Sequence, residues 1–180
     1  MSRLSLAFDA GLSRPDGPVA ILHPYVGFDI SGLTDALIVQ PFFPSNLAWK
    51  NQGFTCDVLP PRHSFSLAIV CCTRSKQQTS DLIAQAAAHA DIVVVDGQKT
   101  DGIDSHYKTL RKLVSIRGSV TKGHGRLFWF AKADLPSLQA LDQVFGSFIT
   151  KPGVFSAGAV DQASLLLADA LPSHLAGDVA

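Results

Sequence analysis

Residues 66–96, SLAIVCCTRSKQQTSDLIAQAAAHADIVVVD, decide the fold. Ser66–Cys72 and Asp91–Asp96 are almost continuously apolar, as expected of central strands covered on both faces. Between them Thr79, Leu82, Ile83, Ala86 and Ala87 recur at helical spacing, which predicts a helix over Ser75–Ala90. A strand, a crossover helix and a second strand of this length make a right-handed βαβ unit. Upstream, short apolar runs bounded by Pro, Gly, Asp or Ser predict strands at Val19–His23, Ala36–Phe42 and Thr55–Leu59. Downstream of the fifth strand, Ile92–Asp96, a helix is predicted at Ile103–Leu113. Val114–Val120 and Arg126–Ala131 then form a hairpin around Thr121-Lys122-Gly123-His124-Gly125. Pro136–Phe148 has no decisive period. Lys151-Pro152-Gly153 breaks the chain, so a linker is placed at Ile149–Gly153, ahead of an amphipathic helix over Val160–Leu171.

A mostly parallel α/β sheet ending in an antiparallel hairpin is the strand pattern of the Rossmann-like class I methyltransferase fold. The composition agrees with a packed domain: 47% of the 180 residues are hydrophobic, which excludes a disordered chain. Fifteen basic residues balance fifteen acids, all of them Asp, so no Glu serves as general base, metal ligand or capping-box partner. Cys56, Cys71 and Cys72 match neither a disulfide framework nor a zinc motif, and a reducing cytoplasm is the expected compartment. Asp9 interrupts the opening residues before a signal-peptide core can build, and no run reaches transmembrane length.

Ligands of open α/β sheets bind outside the carboxyl ends of the strands. His23-Pro24-Tyr25-Val26-Gly27-Phe28 after the first strand has one glycine and encodes no cofactor or phosphate cradle. Cys71-Cys72-Thr73-Arg74-Ser75-Lys76 stands where amino-directed methyltransferases place an Asn/Asp-Pro-Pro-aromatic loop, and that motif occurs nowhere in the chain. If the domain has this fold, its own active site is empty. Cys71 or Cys72 could act as a nucleophile with His63, His89, His106 or His124 as base, although cysteines in an apolar strand are usually core residues. No G-x-S-x-G elbow supports a hydrolase, and the histidines at 23, 63, 89, 106, 124 and 174 lack paired metal-ligand spacing. The turn Asp96–Gly102 suffices as a strand-to-helix connection and is weak as a phosphate site.

Charge is unevenly distributed. Residues 99–132 contain eight basic residues against two acids, a net of +6 in a neutral chain. Lys108, Arg111 and Lys112 are spaced for one helix face, Lys122 and Arg126 bracket the hairpin tip, and Lys99 lies in the turn after the fifth strand. RNA contact and an ordinary solvated face are both open readings of this set.

VVDGQKTDGIDS (94–105), KGHGRLFWF (122–130) and KPGVFSAGAVDQASLLLADALP (151–172) resemble the bacterial small-subunit (16S) ribosomal RNA guanine-N2 methyltransferases of the methyltransferase C type. The resemblance spans nearly the whole chain and corresponds to that family's N-terminal domain and interdomain segment. It implies a degenerate methyltransferase-like domain over residues 1–148, non-catalytic, that supports folding and helps hold ribosomal RNA. Residues 149–180 would lead through Gly177-Asp178-Val179-Ala180 toward a catalytic C-terminal domain, absent here, that binds S-adenosylmethionine. On this resemblance Gly153, Val154, Phe155 and Ser156 approach the cofactor pocket only when that domain is present. The chain alone is then expected to be inactive, with no cofactor bound, and to self-associate through the Val160–Leu171 helix or the surface facing the absent half. The alternative is a stand-alone RNA- or protein-binding α/β module that uses the basic 99–132 segment.

Overall fold

Up to Ala140 the chain runs α1 (Arg3–Asp9), β1 (Val19–Leu22), β2 (Leu37–Val39), α2 (Phe43–Asn51), β3 (Cys56–Asp57), β4 (Phe65–Cys71), α3 (Lys76–His89), β5 (Ala90–Gln98), α4 (Ile103–Leu110), β6 (Ile116–Lys122) and β7 (Gly125–Ala131). A second unit begins at Leu141 with β8 (Gln143–Phe145), β9 (Phe148–Thr150) and α5 (Gln162–Ala170). The computed structural model describes residues 1–30, 32–59, 64–146, 148–156 and 158–172. His63, His174 and Gly177–Ala180, named above, lie outside them.

The first unit is one seven-stranded sheet in the order β3-β2-β1-β4-β5-β7-β6. The first five strands are parallel, and β7 returns antiparallel to β5. Alternation along the strands sorts the core into two layers. Ala68, Val70, Val93, Val95, Phe128 and Phe130 meet Leu82, Ile83, Ala86 and Ala87 of α3 and Ile103 and Leu110 of α4. Leu67, Ile69, Val94, Leu127 and Trp129 face the other way, onto Leu4 and Ala7 of α1 and Trp49 of α2. This is why SLAIVCC and DIVVVD read as unbroken apolar runs: each successive side chain has a helix layer to enter.

The expected strand Ala36–Phe42 contracts to Leu37–Val39, because Phe42 caps α2 and Pro44 sits in its first turn, where a missing N–H costs nothing. Thr55–Leu59 likewise contracts to Cys56–Asp57 at the sheet edge. α1 and α2 add two helices to those the sequence predicts. Ser2 caps α1 by accepting a hydrogen bond from the Ser5 N–H at 3.0 Å. α4 ends at Leu110, not Leu113, as the Lys112 and Leu113 amides tighten onto the carbonyls three residues back. The β6–β7 loop is shorter than expected: Lys122 pairs with Gly125 across a two-residue turn in which Gly123 and His124 both have positive φ. That is the geometry that matches strand twist in a hairpin. At the bulge in β6, a Cβ on Gly118 would overlap the Trp129 indole.

The second unit starts eight residues before the expected boundary at 148/149, and β9 pairs with β8 across that position. α5 is capped by Asp161, which accepts hydrogen bonds from the Ser164 N–H at 3.0 Å and hydroxyl at 3.1 Å, and none of its residues is buried. Among the described residues no helix is long and apolar enough to cross a membrane.

Candidate functional site

The sheet order reverses direction between β1 and β4, so the crevice of this architecture lies over their carboxyl ends. The β1–β2 connection has no helix among its described residues, and therefore no helix N-terminus aimed at the crevice. Its amides turn inward instead: His23 N–H donates to the Val39 carbonyl at 2.8 Å and Phe28 N–H to the Tyr25 carbonyl at 3.0 Å. The Pro24 carbonyl accepts from Gln40 Nε2 at 3.0 Å and Trp49 Nε1 at 3.4 Å. Asn46 Nδ2 donates to the Gln40 carbonyl at 2.9 Å. Buried Gln40, Asn46 and Trp49 thus fasten the loops after β1 and β2 to each other.

Beside this seal lies an open cleft of about 290 Å³ lined by Arg3, Tyr25, Phe28, Asp96, Gln98 and Lys122, among others. Its floor is an ion pair: Arg3 Nε and Nη2 donate to the two carboxylate oxygens of Asp96 at 2.6 and 2.9 Å, and Arg3 Nη1 donates to the Lys122 carbonyl at 3.1 Å. The hydrogen bond to Asp96 raises the guanidinium above its usual range against the opposing effect of burial. Burial, then Asp96, raises the Tyr25 phenol. Gly125 makes room for this arrangement, since a Cβ there would overlap Arg3 Nη1. Asp96 was visible in the sequence as the charged end of an apolar strand. Its partner, 93 residues away, left no local signal.

After β4, Thr73 folds back on α3: its N–H donates to Thr79 Oγ1 at 2.9 Å and its hydroxyl to the Ser75 carbonyl at 3.0 Å. Neither adjacent cysteine has thiolate character. Burial, reinforced by Asp96, pushes the Cys71 thiol well up and Cys72 to about 12. His106 is buried on α4 with its Nε2 unpartnered. Among the described residues no three His, Cys or Asp side chains converge as a metal site.

The basic segment separates into two groups. Lys99 and Lys122 lie at the carboxyl end of the sheet, where the Lys99 N–H donates to the His124 carbonyl at 3.0 Å. Lys108, Arg111 and Lys112 are exposed at the far end of α4, about 8–12 Å from its start along the helix axis. Arg126 belongs to neither exposed group: it donates to Asp104 at 2.8 Å and stacks on the Tyr107 ring at 4.2 Å. In the second unit Gly153 and Ser156 take positive φ, Ser156 Oγ donates to the Ala159 carbonyl at 2.7 Å, and Phe155 is 86% exposed. Phe155 and Ser156 line a shallow cleft of about 200 Å³ within that unit, with Phe145, Phe148 and Val160.

No protein-family model and no curated protein matches the chain. Solved structures do. The T. thermophilus 16S rRNA N2 methyltransferase RsmC, determined with AdoMet and guanosine, superposes with a TM-score of 0.69 at 21% identity over 88% of this chain. The present chain spans about half of it, 49%. A ribosomal protein L11 methylase from Lactobacillus delbrueckii gives 0.53 at 12% identity, over 71% of this chain and 76% of the other. The 16S rRNA methylase RmtB gives 0.51 at 12%, over 73% and 62% respectively. The chain therefore has the Rossmann-like class I methyltransferase fold.

Proposed function

We propose that this chain is the non-catalytic, degenerate N-terminal domain of an S-adenosylmethionine-dependent 16S rRNA guanine-N2 methyltransferase. In this reading it supports folding of a catalytic C-terminal half and helps to hold ribosomal RNA. The observation that carries it is the seal over the first two strands: a methyltransferase sheet in which Gln40 and Trp49 hold Pro24 where the fold ordinarily admits its ligand. The residues present do not fit S-adenosylmethionine. No glycine-rich turn offers peptide N–H groups: the β1–β2 connection has two isolated glycines, Gly27 and Gly32, and Gly27 stands among Tyr25, Val26 and Phe28. The sequence segments at 94–105, 122–130 and 151–172 add support, as does the half-length superposition on RsmC.

On this reading the chemistry belongs to the absent half, which would bind the methyl donor and the guanine amine. Gly153, Val154, Phe155 and Ser156 would approach that pocket only in the whole protein. Cations of residues 99–132 would meet RNA phosphates. Titration calorimetry of the chain with S-adenosylmethionine is expected to show no saturable heat, and a micromolar site would overturn the degenerate assignment. An antibody raised against the chain is expected to detect, in extracts of the source cells, a polypeptide about twice the 19.2 kDa of this one. A band of 19.2 kDa would favour the stand-alone binding module instead.

A further inference from the structure

The carboxyl edge of the sheet is divided by chemistry. After β1 and β2 it presents Tyr25, Phe42 and Phe43, exposed by 56, 64 and 71%. After β4, after β5 and at the β6–β7 turn it presents Arg74, Lys99 and Lys122, all exposed and none in an ion pair among the described residues. These loops share one edge because β1, β2, β4 and β5 are parallel, and because β7 brings its turn back to Gln98 through the Gln98–Gly125 pairing. In sheet order the aromatic half leads directly into the cationic half, along about 20 Å of edge. The acids nearest the cations are engaged elsewhere: Asp96 accepts from Arg3, Asp101 from the Gln98 N–H at 3.2 Å, and Asp104 from Arg126.

We propose that this edge is a track for single-stranded RNA, with bases stacked on Tyr25, Phe42 and Phe43 and phosphates paired with Arg74, Lys99 and Lys122. A polyanion carrying flat π-faces complements both halves at once. A protein docking on the aromatic half alone would leave the cations without counterparts. One aromatic ring and the backbone of a second aromatic residue are fixed before any partner arrives. The Phe42 N–H donates to Gln40 Oε1 at 3.1 Å, and the Tyr25 ring packs edge-on against Phe28 at 5.7 Å, which reduces the ordering cost of binding. The inference rests on the reading above only in taking RNA as the polyanion, and it selects the carboxyl-edge cations over Lys108, Arg111 and Lys112.

The test is fluorescence anisotropy with a labelled oligouridylate of about 12 nucleotides, across a salt series, on the whole chain. Replacing both Phe42 and Phe43 by Ala is expected to weaken binding about ten-fold or more. Lys99→Ala with Lys122→Ala is expected to lower the log–log salt slope from about −2 to about −0.7, the values for three and one phosphate contacts. Arg111→Glu with Lys112→Glu is expected to leave affinity within about two-fold, and circular dichroism confirms that each variant is folded. Loss of binding in the Arg111/Lys112 variant alone would overturn the track while leaving RNA binding by the chain intact. Absence of any binding at low salt would overturn both the track and the RNA-holding role. A Phe42/Phe43 variant that changes only the sedimentation of the chain, with RNA affinity unmoved, would make the aromatic half a protein contact and also overturn the proposal.

Discussion

Arg3 and Asp96 form a two-pronged ion pair, 2.6 and 2.9 Å, that ties the first helix to the end of the fifth strand with side chains only 11 and 4% exposed. At that burial, removing one partner strands the other charge. Arg3→Met is expected to cost about 3 kcal/mol in urea unfolding. The double variant Arg3→Met, Asp96→Leu is expected to return to within about 1 kcal/mol of the parent. No loss in either variant would show that α1 is held by its apolar contacts alone.

Trp129 and the bulge at Gly118 make a second sensitive point. The indole occupies the space that a Cβ would need, so Gly118→Ala must displace either the ring or the strand. The expected cost is about 2 kcal/mol, with a shift in tryptophan emission. Gly158→Ala, which meets nothing within 4 Å at ordinary φ, is the control and is expected to be neutral.

Acid should destabilise the fold through buried His106 and half-buried His23. Burial, and then Lys76, lowers the His106 pKa from 6.5, and burial alone lowers that of His23 from the same value. The unfolded chain therefore binds more protons than the folded one as pH falls through 6.5. The stability is complete above that pH and is lost progressively below it, down to the lowered folded-state values. His106→Leu removes the unpartnered Nε2 from the core and is expected to be neutral or to stabilise by about 1 kcal/mol at neutral pH. It should also flatten the decline toward about pH 5, measured by urea unfolding at several pH values.

Thiol reactivity should follow burial. Cys56, half-exposed in β3, is expected to react first with a disulfide reagent at about pH 8, although burial raises its pKa too. Buried Cys71 should follow only at the rate at which the sheet opens, partly exposed Cys72 should lag Cys56 because its thiol is pushed up to about 12, and urea should release all three. Rapid labelling of Cys72 in the folded chain would contradict its packing against Gly97, where a Cβ would come within 2.7 Å of the cysteine Cβ.

The elements that were legible in the sequence are those whose pattern is local and dense. β4, α3 and β5 announce themselves because both sheet faces are covered, leaving few polar interruptions over residues 66–96. α1 was not visible: its seven residues bury only Leu4 and Ala7, too few for a period to emerge. α2 hid behind Phe42-Phe43-Pro44, which reads as the end of a strand until Pro44 is seen in a first helical turn. For the site, composition told what the crevice lacks, while what seals its first loops and floors the cleft beside them depends on Gln40, Trp49 and Arg3, each bonded across a distance in sequence that no spacing rule covers. The cation set was readable as a count, but its division between the two ends of α4, and the engagement of Arg126 by Asp104, are products of folding.

The same N-terminal helix carries a consequence for synthesis. Arg3 ends on the Lys122 carbonyl and Lys122 Nζ on the Met1 carbonyl, links that span 119 and 121 residues. The ribosome makes the helix before β6 and β7, yet its binding surface on them exists only after those strands emerge, about 6–24 s later at ordinary translation rates. Over that interval Leu4 and Ala7 lack Leu127 and Trp129, so the helix precedes β6 and β7 in synthesis yet completes its docking only after them. Pulse-labelled hydrogen exchange during refolding should accordingly show the α1 amides protected after those of β4 and β5.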